Sequence, residues 1–408
     1  MELEKIGFYT LSDARCKHAS ESSPIYRAEI ILTSRCNFHC VYCRGLRKDI
    51  RGEYSLEDAE GTIELLSKER LKNIRFSGGE PTAHPNLVQL VRKAKSCGVE
   101  RIAVSTNGSA PFEHYSKLVD AGVNDFSVSL DSCCAATADG ICGVSGAWKT
   151  VTENIGKLSG LTYVTVGVVL TEQNAKECAE TVKFASELGV SDIRVIPAAQ
   201  YSPTLNLPNF NFDRYPILNY RIQNHKIRGL CETDNKRCPL VLDDVAIAGG
   251  KHFPCIIYMR EGGDHIGTVG PNMRNERKVW FESHDCHDDK ICNGTCLDVC
   301  REYNNRWLQL RDYKTLPKMD SSLFDSSSWR LGADFLSTFG FHLRWNGVKN
   351  SKAVRDTIRK AAVGWARGED VPCRPKSNET AVMFATNNGE GWCHLRNSEM
   401  FEVFGGIR

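Results

Sequence analysis

Cys36, Cys40 and Cys43 stand in the run Arg35-Cys36-Asn37-Phe38-His39-Cys40-Val41-Tyr42-Cys43, with the spacing Cys-x3-Cys-x2-Cys. Three thiolates on one tight loop can hold three irons of a cubane iron–sulfur cluster and leave its fourth iron open to a ligand that reacts. A closed structural zinc site needs four protein ligands, so the same loop would have to recruit His39 or a distant group. The second group able to do chemistry is Arg75-Phe76-Ser77-Gly78-Gly79-Glu80-Pro81-Thr82. Its glycines let the backbone approach a ligand closely, and the carboxylate of Glu80 can pair with an ammonium. Taken alone, the same residues also describe an ordinary turn with a solvated glutamate.

A third concentration lies between residues 231 and 300, which hold seven of the 18 cysteines: Cys231, Cys238, Cys255, Cys286, Cys292, Cys296 and Cys300. Such a density points to metal thiolates, as an iron–sulfur cluster or a structural zinc. Seven thiols cannot give four ligands to each of two clusters, so one complete cluster is expected; a second would need His284, Asp285 or Asp298. Cys133 and Cys134 follow another apolar run and are candidate hydrogen-atom donors, although loop thiols without chemistry fit there too.

These groups need a scaffold that presents loop ends. Strands are expected at 28–33, 74–77, 101–105, 126–131, 163–170 and 192–197, separated by amphipathic helices at Ser55–Arg70, Pro85–Cys97, Phe112–Ala121, Ala147–Ser159 and Ala175–Leu188. Alternating strand and helix units imply an α/β fold with a parallel sheet and right-handed crossovers. Ligands then sit at the carboxyl ends of the strands, where the singled-out residues fall. With 52 basic and 50 acidic residues the charge offers no footprint of nucleic-acid or membrane-surface binding. No apolar stretch reaches the roughly 18 residues that cross a bilayer. The start Met1-Glu2-Leu3-Glu4-Lys5 has no apolar segment of the signal-peptide kind, and the many thiols suit a reducing compartment, so the expected location is the cytoplasm.

The Cys-x3-Cys-x2-Cys loop with Tyr42 before its last thiol, and the Gly78-Gly79-Glu80-Pro81 turn after the next strand, together resemble the radical S-adenosylmethionine (SAM) enzymes. The resemblance implies an open, partial (β/α)6 barrel in which Cys36, Cys40 and Cys43 hold a 4Fe-4S cluster with an open iron. It further implies that Gly78, Gly79, Glu80 and Pro81 bind the SAM amino group, with Ser105, Asn107 and Ser129 at its ribose or carboxylate. Val195 and Ile196 would lie at the adenine, with Tyr42 packed beside it. Reductive cleavage of SAM would give a 5′-deoxyadenosyl radical that abstracts hydrogen from a substrate, with a low-potential donor such as flavodoxin or ferredoxin supplying the electron.

Gly146-Ala147-Trp148 is similar to a helix start in the branch that contains the molybdenum-cofactor GTP cyclase and the peptide-modifying maturases, although Ile141-Cys142-Gly143 stands where an Arg often precedes the Gly. Cys238, eleven residues, Gly250, four residues, Cys255 resembles the opening of the SPASM/Twitch extension, which carries auxiliary 4Fe-4S clusters, and Cys286, five residues, Cys292, three residues, Cys296 resembles its later part. Ser283 departs from it by standing where a Cys is expected. The expected layout is an extension at 1–24, the barrel at 25–225, the auxiliary cluster region at 226–312, a linker at 313–328 and an accessory α+β module at 329–408 with a hairpin around Asn387-Asn388-Gly389. A peptide, a protein or a small biosynthetic intermediate is the expected substrate; nucleotide cyclisation and a non-catalytic iron–sulfur protein are the alternatives, the last disfavoured by an intact SAM-ammonium motif.

Overall fold

The computed structural model describes residues 2–200, 214–223 and 226–310, together with strands at 342–346, 380–386, 389–395 and 400–404. The chain divides into two compact units, Met1–Asn304 and Asn305–Arg408. The first unit opens with α1 (Asp13–His18) and then alternates: β1 (Arg27–Thr33), α2 (Leu56–Lys68), β2 (Asn73–Gly78), α3 (Leu87–Ser96), β3 (Arg101–Thr106), α4 (Phe112–Ala121), β4 (Asp125–Ser129), α5 (Ala135–Cys142), α6 (Ala147–Ser159), β5 (Tyr163–Leu170), α7 (Cys178–Glu187), β6 (Asp192–Pro197) and α8 (Pro216–Gln223). Strands β1 to β6 are parallel and adjacent in chain order, which is the mostly parallel sheet of a partial barrel.

One face of this sheet is apolar. Ile30, Leu32, Ile74, Phe76, Val104, Phe126, Val128, Val166 and Val195 pack with Ile63, Leu66, Leu90, Leu118, Ile155 and Val182 of the covering helices in one buried core. The alternate strand positions include polar residues that bond one another on the concave side. Arg75 donates to Ser105 Oγ at 3.0 Å, and Arg27 pairs with Glu29 at 2.8 Å and Asp244 at 2.9 Å. The residues before α1 close the amino end of this interior. Tyr9 accepts a hydrogen bond from Arg75 at 2.9 Å, bonds Asp125, and lies under the Arg101 guanidinium at 3.6 Å.

The chain then adds β7 (Asp244–Ala248), β8 (Lys251–Phe253), α9 (Ile256–Arg260), β9 (Gly267–Thr268), α10 (Met273–Ser283), α11 (Lys290–Thr295) and α12 (Asp298–Leu310). Strand β7 lies parallel to β1 and extends the barrel sheet, giving the order β6-β5-β4-β3-β2-β1-β7-β8-β9. The cysteine-rich region is therefore built onto the barrel's own first strand. Gly249 and Gly250, with φ of +55° and +72°, form the two-residue turn joining β7 to β8, and two successive positive φ values are what such a turn requires.

In the second unit β10 (His342–Asn346) pairs antiparallel with β13 (Met400–Phe404), and β11 (Thr380–Thr386) with β12 (Gly389–Leu395). Thr386 opposite Gly389 is the register of the expected hairpin. The expected linker 313–328 lies outside the described residues.

Candidate active site at the strand carboxyl ends

The loop after β1 carries Cys36, Cys40 and Cys43 and is held at several points. His39 N–H donates to Cys142 O at 2.8 Å and Val41 N–H to Ile141 O at 3.0 Å, so the carboxyl end of α5 braces the loop from below. Asn107 Nδ2 donates to Asn37 Oδ1 at 2.8 Å and reaches Cys36 Sγ at 4.0 Å. Cys36 and Cys43 are exposed and Cys40 half-buried. Burial pushes the Cys36 thiol up, and burial, Asp131 and the neighbouring thiols push Cys40 up to about 12. Raised in this way, Cys36 and Cys40 resist ionisation unless a cation compensates, and with Cys43 on the same loop they make a donor set that fits an iron cluster.

The turn after β2 threads against that loop. Gly79 N–H donates to Thr33 O and Glu80 N–H to Arg35 O, each at 2.7 Å. A Cβ on Gly78 would collide with the Thr33 carbonyl and one on Gly79 with the Arg35 carbonyl, which explains both glycines by close approach. Pro81 begins a single 3-10 turn for which the Glu80 side chain is the cap. Glu80 is 2% exposed. Its Oε1 accepts from Thr82 N at 3.0 Å and from the Thr82 and Thr106 hydroxyls at 2.7 Å each, while Oε2 accepts only from Asn107 N at 2.7 Å. Burial pushes its carboxyl up. Glu80 thus ties the ends of β2 and β3 together, and Oε2 keeps capacity for one further donor.

The other expected contacts divide. Asn107 stands between Glu80 and Cys36, and Ser129 at the end of β4 is exposed. Ser105 lies deeper, engaged by Arg75. Val195 is buried in the helix-side core and its carbonyl accepts from Arg221 at 3.0 Å, whereas Ile196 is half-buried on the alternate face. Tyr42 donates to Asp131 Oδ2 at 2.7 Å, and Asp131 Oδ1 accepts from Val169 N at 2.8 Å, linking the cysteine loop to β4 and β5. Cys133 donates its N–H to Thr181 Oγ1 at 3.1 Å, and Cys134 is exposed at the start of α5, where hydrogen bonds from Thr137 and Ala136 draw its thiol down.

Three arginines at this end are not singled out by any sequence motif. Arg260, at the end of α9, donates to Gly78 O at 2.7 Å and Gly45 O at 3.2 Å. Burial draws its guanidinium down, and nearby Glu29, Cys43 and Cys36 support it. Arg228 donates Nε to Pro197 O at 3.0 Å, while its Nη1 is buried with no partner among the described residues. Burial, then Arg44 and Arg221, pull Arg228 down to about 10. Arg44 is drawn down by burial and by Arg260, and its partner is Glu261.

In the second cysteine cluster six thiols come together. Burial and the neighbouring Cys238 push Cys255 up to about 12. Cys296 is raised by burial and by Cys300, Cys238, Cys255 and Cys286. Contact with Cys286 and burial raise Cys238, and Cys292 responds to contact with Cys286 and to burial. Cys231 stands aside: it is exposed, and its Sγ accepts from Arg301 Nη1 at 3.4 Å. Of the three non-thiol candidates, Asp298 is held by Arg221 through two bonds of 3.1 Å, and Asp285 caps His287 N at 2.9 Å. His284 Nε2 lies 3.7 Å from Cys292 Sγ. Arg277, fully buried, donates to Val241 O at 2.8 Å, Phe253 O at 2.9 Å and Pro254 O at 3.3 Å, which braces the segments that carry Cys238 and Cys255.

Residues 30–185 match the Radical SAM superfamily. The chain is 30% identical over 187 residues to a probable GTP 3′,8-cyclase of Saccharolobus solfataricus, covering 42% of this chain and 57% of that one. It is 31% identical over 163 residues to an AdoMet-dependent heme synthase of Methanosarcina barkeri, covering 39% and 46%. The matches thus span only about half the length of these relatives. Among solved structures, SuiB of Streptococcus suis bound to its precursor peptide SuiA aligns with a TM-score of 0.49 at 15% identity, over 66% of each chain. No described helix is long and apolar enough to cross a membrane.

Proposed function

Since the chain carries a radical SAM domain at residues 30–185, we propose that it reductively cleaves S-adenosylmethionine and uses the resulting radical to abstract hydrogen from a substrate. The observation that carries this reading is the convergence on Asn107: its N–H fixes Glu80 Oε2 at 2.7 Å while its side chain reaches Cys36 Sγ at 4.0 Å. One residue therefore registers the thiolate loop against the buried carboxylate. When bound, the 4Fe-4S cluster supplies the electron that breaks the S–C5′ bond of SAM. Cys36, Cys40 and Cys43 hold that cluster. Glu80 Oε2 accepts from the SAM ammonium, Asn107 and Ser129 stand at its ribose or carboxylate, and Tyr42, fixed by Asp131, flanks the adenine beside Ile196.

A peptide or a small biosynthetic intermediate is the proposed substrate, and an auxiliary 4Fe-4S cluster drawn from the six gathered thiols accompanies the reaction. A second reading, nucleotide cyclisation, is favoured by the buried, partnerless Nη1 of Arg228 near Arg44 and Arg260, because guanidiniums at the mouth suit an anionic substrate. Anaerobic reconstitution, reduction and addition of SAM should release 5′-deoxyadenosine, measured by chromatography. A reduced, fully loaded protein that leaves SAM intact contradicts the proposal.

A further inference from the structure

Helix α10 ends at Ser283, and the next residue turns inward. Ser283 is exposed and spends its hydroxyl on Val279 O at 2.8 Å within its own helix, so it cannot serve as a ligand. His284 N–H donates to Trp280 O at 2.9 Å, and its ring stacks on the Trp280 indole at 3.9 Å, with 18° between planes. Its Nε2 thereby faces Cys292 Sγ and Asp289 Oδ2, each at 3.7 Å. Cys292 is fixed by the cap of α11, where Asp289 Oδ1 accepts from Ile291 N and Cys292 N at 2.8 Å each, and Asp289 Oδ2 accepts from Tyr258 Oη at 2.9 Å. Cys286 is fixed by its N–H to Lys236 O at 2.8 Å.

The donor atoms of His284, Cys286 and Cys292 all lie within 4.8 Å of one another. A tetrahedral zinc, with bonds of about 2.3 Å to sulfur and 2.0–2.1 Å to imidazole, sets an edge of about 3.6 Å between the two donor types. The separation of Cys292 Sγ from His284 Nε2 is 3.7 Å. A cubane spreads its ligands over separate irons, so ligands this close together match one ion better. The other four gathered thiols, Cys238, Cys255, Cys296 and Cys300, suffice for a complete cubane without these three.

We propose that His284, Cys286 and Cys292 form a distinct site for one tetrahedral thiophilic divalent ion, zinc in its native form, with a fourth position open to an exogenous ligand. It rests on the auxiliary cubane proposed above only for the partition of donors. The test uses the full chain with Cys36, Cys40 and Cys43 replaced by Ala, reconstituted with iron and sulfide, desalted and titrated with Co²⁺. About one Co²⁺ should bind with tetrahedral d–d bands and thiolate charge-transfer absorption. His284→Ala should weaken that binding by more than about 100-fold, beyond what loss of an outer-shell partner costs, and leave iron content unchanged. His284→Cys should keep Co²⁺ and intensify the charge-transfer absorption; it decides the matter if the Ala variant is insoluble. Unchanged Co²⁺ affinity in His284→Ala, loss of iron in place of cobalt, or no added thiolate band in His284→Cys overturns the proposal. SAM cleavage, read on the protein with its three loop cysteines intact, fails or succeeds independently of these results.

Discussion

Glu80→Gln separates the two loads that fall on one buried carboxylate. The native side chain accepts four hydrogen bonds, three on Oε1 and one, from Asn107 N at 2.7 Å, on Oε2. An amide placed with its oxygen toward Thr82 and Thr106 turns its NH2 toward Asn107 N–H and toward the position proposed for the SAM ammonium, opposing donor to donor. Leaving the Asn107 N–H without an acceptor costs about 1–3 kcal/mol of stability. Losing the charged acceptor for an ammonium costs a further 1.5–3 kcal/mol of binding, or roughly 10- to 100-fold in SAM affinity. Thr106→Val is the control: it removes one hydroxyl donor to Oε1, along with the Thr106 bonds to Gly108 N–H and Tyr115 Oη, and leaves Oε2 and its charge in place. Calorimetric SAM titrations of the reconstituted proteins, alongside denaturant melts, resolve the two effects. Both variants should lose stability, only Glu80→Gln should lose most of its SAM affinity, and the cluster absorbance of both should persist. Wild-type affinity in Glu80→Gln, or an equal loss in Thr106→Val, would refute this, because Glu80 would then act on the loops alone.

Gly79→Ala should destabilise the chain by about 2 kcal/mol or more and lower the yield of reconstituted cluster, since its Cβ meets the Arg35 carbonyl of the thiolate loop; urea melts and iron content check this. Replacing Cys36, Cys40 and Cys43 by Ala should leave about four irons after reconstitution, held by the auxiliary thiols, and elemental analysis showing none would remove that cluster. Burial and the neighbouring Arg277 hold His252 down to about 4. Its neutral form is therefore the one the fold favours, so stability should fall as pH drops from about 6.5, where the unfolded chain begins to take up the proton, toward 4. His252→Gln should flatten that slope in melts at pH 7 and pH 5, and an unaltered slope would assign it to other groups.

All six barrel strands are legible because each is a β-branched run interrupted by turn residues, and five of their connecting helices by amphipathic spacing. The end of β4 is less so. The run continues to Asp131 in sequence, but the strand stops at Ser129 and Asp131 turns to bond Tyr42 and Val169. Helix α5 escapes notice since Cys133 and Cys134 draw the eye as loop thiols and the helix is only eight residues; Gly143, at φ +72° just past its end, is the signal that could have found it. The two glycine collisions and the braces on the thiolate loop are long-range backbone contacts that no local pattern encodes. Arg260 and Arg228 read as ordinary solvated side chains until β7 joins β1 and folds the cysteine-rich region over the mouth. Cysteine density reveals the second cluster, yet the exposure of Cys231 and its bond from Arg301 are visible only in three dimensions.

Assignment of the SAM-cleaving cluster to Cys36, Cys40 and Cys43 is a proposal open to measurement. Its most direct test compares the reconstituted, reduced wild-type chain with Cys36→Ala, Cys40→Ala and Cys43→Ala for 5′-deoxyadenosine formed from SAM, with iron content measured on the same samples. Wild type should form 5′-deoxyadenosine, while each variant should retain its auxiliary iron and form none. Near wild-type 5′-deoxyadenosine from any one of the three variants would contradict the account.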